Sequence, residues 1–137
     1  MRENKFFKAD EGFSMIELIV YIAIVGIILA VAVPKYNNAI AMANTARIQA
    51  DLYTLDGAMM MYYTENGSYP ASITDLREYV KNVDNIHPPK GKCLLRDGST
   101  LEVTAESYSI DRDENEVLCQ GHPLTDFGSK SKGGSGD

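Results

Sequence analysis

The strongest constraint on this chain lies in residues 13–33, FSMIELIVYIAIVGIILAVAV, where 21 positions carry a single charge, Glu17. At about 1.5 Å of rise per residue, a helix of this length crosses the roughly 30 Å hydrocarbon core of a bilayer. It has no polar face, so it does not read as a helix on the surface or in the core of so short a protein. The 137 residues leave room for one modest folding unit besides, too small for a large catalytic cleft.

A carboxylate inside such a run costs about 2.5–3.5 kcal/mol on insertion scales, and an intramembrane acid is a functional-site hypothesis that needs a partner. Two plain readings compete. A secretory signal finds a small-x-small pattern in Ala30-Val31-Ala32, but signal peptides have apolar regions of only about 7–15 residues, without an internal Glu17. A simple signal anchor is equally ill served by that charge. If the amino terminus were discarded, a secreted binding module starting at Val33 would remain.

The run Gly12-Phe13-Ser14-Met15-Ile16-Glu17-Leu18 resembles the processing motif of type IV prepilins and the related pseudopilins. The resemblance implies that a membrane-embedded prepilin peptidase cuts between Gly12 and Phe13, that Phe13 becomes N-methylated, and that the whole apolar segment stays on the mature protein. It also implies a homo-oligomeric helical filament in which Glu17 pairs with the Phe13 terminus of a neighbour. The chemistry suits this: an ammonium on Phe13 is a cation one helical turn from the acid. Removing one partner of a buried pair costs about 3–5 kcal/mol, a penalty that selects correctly staggered subunits. The family's leaders are usually basic, whereas here Arg2, Lys5 and Lys8 are offset by Glu3, Asp10 and Glu11. Positive residues still precede the span and keep the leader cytoplasmic.

Beyond the span, Pro34 removes the helical bond to the carbonyl of Ala30 and Gly26 lowers helix propensity, marking a kink or a segment able to melt during assembly. Residues 37–63 become amphipathic. Ile48, Leu52, Leu55, Met59 and Tyr62 recur at spacings of three and four, with Asn44, Arg47, Asp51 and Asp56 off the stripe. Met59-Met60-Met61 reads as core filling. The two halves together predict one helix of about 50 residues, ended by Asn66-Gly67 and Pro70. Tyr63 to Pro70 also looks like the tyrosine-rich Asn-Gly-x-Tyr-Pro junction that follows the long helix in pilins.

Ser72-Ile73-Thr74-Asp75 approximates a capping box and predicts a short helix to about Val80. After Pro88-Pro89 the pattern turns to strands: Cys93–Leu95 and Leu101–Val103 flank the turn Asp97-Gly98, and Tyr108–Ile110 and Val117–Cys119 flank Asp111–Asn115. An antiparallel β-meander of three or four strands, packed on the helix stripe, is expected. The fold class is α+β and pilin-like. Its divisions are a leader at 1–12, a transmembrane and filament-core helix at 13–34, a head at 35–127 and a flexible tail at 128–137.

Cys93 and Cys119 both fall in the head, and an even count in an exported domain favours a disulfide over two free buried thiols. Such a bridge would stabilise by about 3 kcal/mol through chain entropy. The net charge of −6 and pI near 4.9 argue against direct nucleic-acid binding. Asp111, Asp113 and Asn115 alternate like a calcium loop, but Glu116 stands where an EF-hand needs glycine and His122 where it needs an acid. Calcium is therefore a weak candidate, kept because some major pseudopilins bind it near their carboxyl end. His87 and His122 have neither metal-ligand spacing nor a nucleophile partner and read as surface residues, and no phosphate loop or serine motif supports an enzyme.

The expected function is a structural subunit of a type IV pilus-like extracellular filament. Its partners are copies of itself, the prepilin peptidase, an assembly platform and, before assembly, the cytoplasmic membrane. The alternative within the family is a major pseudopilin of a type II secretion or competence system.

Overall fold

The computed structural model describes residues 12–129. The expected leader up to Glu11 and the tail beyond Ser129 lie outside the described residues. The chain divides into two compact units between Tyr36 and Asn37, two residues past the expected head boundary. One helix, α1 (Met15–Asn66, 52 residues), contributes to both, with Pro34 inside it.

In the first unit every described residue from Gly12 to Tyr36 is exposed except half-buried Val25. Leucines, isoleucines and valines that would supply a core elsewhere are here on the surface. α1 is also long and apolar enough to cross a membrane, by length and composition.

The second unit has a core of its own. Ile48, Leu52, Leu55 and Met59 are fully buried, with Tyr62 packed beside them, because spacings of three and four place them on one face of α1. The methionine cluster splits: Met59 is core, whereas Met60 and Met61 are exposed, since consecutive helical residues point about 100° apart. Gly67 ends α1 in the left-handed conformation (φ 72°), its N–H donating to Tyr63 O at 2.8 Å. The Tyr63 and Tyr69 rings then stack at 4.5 Å across the junction.

The short helix expected over 72–80 is a 3₁₀ helix, Ile73–Glu78. The carboxylate of Asp75 accepts the N–H groups of Ala71 and Ser72, both at 3.0 Å, and Leu76 enters the core. The strands form two separate hairpins rather than one meander. β1 (Gly91–Leu94) pairs antiparallel with β2 (Thr100–Val103), and β3 (Ser109–Asp111) with β4 (Glu116–Leu118). Each has three or four residues, too short to stand alone, so stability comes from packing on α1.

Polar residues flanking the stripe hold the hairpins to α1. Asn44 Nδ2 donates to Lys92 O (3.0 Å), Leu94 N–H to Thr45 Oγ1 (2.7 Å), Tyr108 Oη to Asp51 Oδ2 (2.7 Å) and Val117 N–H to Asp56 Oδ1 (2.8 Å). Gln49 Nε2 donates to Phe127 O at 2.9 Å. Fully buried Phe127 bridges to Leu95, and Gly128 N–H donates to Leu94 O at 3.2 Å, so Gly128 belongs to the head and not to the tail.

Leu55→Ala should lower head stability by about 2–5 kcal/mol, measured by urea unfolding in detergent and followed by tyrosine near-ultraviolet dichroism. Burial raises the Asp56 carboxyl above its ordinary 3.8 despite the bond from Val117. A raised acid binds protons more tightly in the folded state. Its cost is therefore complete above the folded pKa and disappears as pH falls to 3.8. Asp56→Asn should flatten that part of the stability–pH curve while keeping an acceptor for Val117; an unchanged curve would contradict the assignment.

Candidate assembly site

The start of α1 is built by a reciprocal cap. Ser14 N–H donates to Glu17 Oε2 at 3.1 Å, and Glu17 N–H donates to Ser14 Oγ at 3.3 Å. The first N–H groups of a helix lack intrahelical partners, and Ser-x-x-Glu satisfies two of them at once. A negative side chain in the first turn also complements the positive end of the helix dipole. Glu17 is the acid of that turn in a helix otherwise apolar to Val33.

This arrangement gives Glu17 a second role besides the expected ion pair. Sequence reading missed Ser14, although Ser14-Met15-Ile16-Glu17 is the standard capping-box signature. Phe13 carries a peptide nitrogen here, and the acid is engaged by Ser14. A carboxylate has about four acceptor sites, so one oxygen can hold the cap while the other accepts a further donor. Phe13 and Gly12 are exposed, and a side chain built on Gly12 would meet nothing within 4 Å.

Pro34 lies in the same helix without ending it. Its missing N–H leaves the Ala30 carbonyl without its usual partner. The other expected sites lie in the second unit. Cys93 and Cys119 are free thiols, each fully buried, where a disulfide was expected. Burial, with Cys93 and Asp51 nearby, pushes the Cys119 thiol up to about 11, and burial also raises Cys93.

Asp111 Oδ1 accepts the N–H groups of Asp113 (2.9 Å) and Glu114 (3.4 Å), and Asn115 is left-handed (φ 55°). These contacts make a turn, and among the described residues no three His, Cys, Asp or Glu side chains are grouped to hold a metal. His87 is exposed with Nδ1 2.9 Å from Glu106 O. His122 is half-buried, with Nδ1 3.0 Å from Asp126 Oδ2.

Comparison with known proteins matches residues 7–33 to the prokaryotic N-terminal methylation motif. Over 111 residues the chain is 30% identical to type IV major pilin protein PilE1 of Neisseria gonorrhoeae, covering 74% of this chain and 67% of that one. It is 32% identical over 71 residues to type II secretion system core protein G of Klebsiella pneumoniae, covering 52% of this chain and 51% of that one. With type IV major pilin protein PilA of Myxococcus xanthus it shares 30% over 109 residues, covering 77% of this chain and 50% of that one. The chain thus spans about half the length of the last two relatives. No solved structure matches. A methylation-type amino terminus on a long exposed apolar helix, a small α+β head and likeness to pilins across three quarters of the sequence converge: the chain belongs to the type IV pilin and pseudopilin family, as a structural subunit of a pilus-like filament.

Proposed function

We propose that the chain is the repeating subunit of a surface type IV pilus, cut by a prepilin peptidase between Gly12 and Phe13 and methylated on Phe13. The observation that carries this reading is the capped acid at the head of an exposed apolar helix. That helix needs cover in every state: lipid before assembly, other copies afterwards. Burial of its surface contributes roughly 25 cal/mol per Å² wherever water is displaced. Lipid has already displaced that water, so extraction from the membrane depends on helix packing and on charge pairing. In the filament Glu17 keeps its Ser14 cap and accepts the Phe13 ammonium of a neighbour, a charge-assisted bond in dry surroundings. Such head-to-tail contacts repeat without closing and give a fibre. An assembly platform in the cytoplasmic membrane supplies subunits, and no direct nucleic-acid contact is part of the mechanism.

A second reading, a major pseudopilin of a type II secretion system, is favoured by the likeness to core protein G. It differs in where the filament ends: in the periplasm or wall instead of on the cell surface.

Electron microscopy of sheared cells expressing variants tests the proposal. Gly12→Ala should leave a full-length precursor in the membrane and no filaments, and Glu17→Ala should give a cut subunit whose filament yield falls at least tenfold. Normal filaments in both variants would refute the assigned roles. Ser14→Ala, which removes a cap worth about 1 kcal/mol, should reduce yield less than Glu17→Ala does. An intact periplasmic filament with no surface fibre would select the pseudopilin reading.

A further inference from the structure

Among the described residues the two hairpins belong to separate sheets, with no strand ladder between them. One side chain bridges them. Gln120 follows Cys119 at the end of β4, and its carboxamide lies along the end of β2. Its Oε1 accepts Thr104 N–H (2.8 Å), Ala105 N–H (3.1 Å) and Thr104 Oγ1 (3.3 Å), while Nε2 donates to Glu102 O (3.0 Å). A carboxamide has the donor and acceptor of a peptide group, so Gln120 caps the edge of β2 as a short strand would.

The backbone makes the choice of residue informative. Cys119 and His122 exchange N–H···O bonds of 2.9 and 3.0 Å, and both intervening residues have positive φ, 50° at Gln120 and 83° at Gly121. A two-residue turn of this shape favours Asn-Gly or Gly-Gly, and glutamine is an uncommon occupant of left-handed backbone. The side-chain bonds offset that strain. Asparagine, which fits the backbone better, is one methylene too short to reach β2 in the same way.

The clasp adjoins the cysteine pair. Cys93 lies in β1 and Cys119 immediately precedes Gln120, so a disulfide there would tie the same two hairpins. Both sulfurs are free, fully buried and disfavoured as thiolates, the form that enters disulfide exchange. Cys93 Sγ is already placed to donate to Leu101 O at 3.5 Å. We infer that Gln120 is a carboxamide clasp joining the two hairpins, and that it allows the head to fold and stay folded with Cys93 and Cys119 reduced.

The test uses the full chain in detergent micelles with thiols kept reduced, comparing the parent with Gln120→Asn and Gln120→Ala. Two quantities are read: thermal unfolding of the head, and hydrogen exchange at Thr104 and Ala105. The reduced parent should unfold cooperatively with both amides protected. Both variants should melt several degrees lower and exchange those two amides at least tenfold faster, while core amides such as Leu55 keep their order of protection. Asparagine separates the roles: if Gln120 served only the turn, Gln120→Asn would melt as high as the parent or higher, which would overturn the clasp. Unfolding of the parent on reduction, or unchanged exchange at Thr104 and Ala105 in both variants, would overturn it too. Should a variant fail to fold, the reduced parent with its two protected amides still decides whether the head stands without a covalent tie.

Discussion

The organisation of this protein depends on an apolar helix that the described residues leave uncovered. From Phe13 to Val33 the large side chains are exposed, and among the described residues only Val25 of that stretch is even half-buried. No arrangement of a 137-residue chain in water tolerates that surface uncovered. The segment has to be discarded, embedded in lipid or buried against other copies. The proposed function takes the last two in sequence, and the chemistry at the helix start explains how one segment can serve both.

Glu17 is the hinge of that explanation. In hydrocarbon an unpaired carboxylate is expensive, yet the cap with Ser14 satisfies part of its capacity and two orphan helix N–H groups together. The acid is thereby held in place without being used up. In the proposed filament the remaining capacity meets the ammonium created by processing. The same carboxylate would then stabilise the isolated helix and discriminate between correct and incorrect staggers.

Local patterns were legible in the sequence, and long-range polar contacts were not. The stripe from Ile48 to Tyr62 was readable because helical periodicity is a one-dimensional signal, and both hairpins because Asp97-Gly98 and Asp111–Asn115 punctuate short apolar runs. Residues placed off the stripe looked merely solvated. In fact Asn44, Asp51 and Asp56 bond hairpin groups 48, 57 and 61 residues away, and no local rule announces such pairs. The continuous meander failed for a related reason: the strands are readable singly, but the join between hairpins is a side chain, Gln120, and not a ladder. Ser14 was the avoidable omission. Its spacing to Glu17 is a plain Ser-x-x-Glu signature, and the expected pairing with Phe13 does not compete with it, because one carboxylate can hold both partners.

The most direct measurement is intact mass and amino-terminal sequencing of subunits dissociated from purified filaments. The account predicts a chain beginning at N-methylated Phe13, with the apolar helix and Glu17 retained. A mature protein beginning at Val33, soluble and monomeric without that helix, would contradict it.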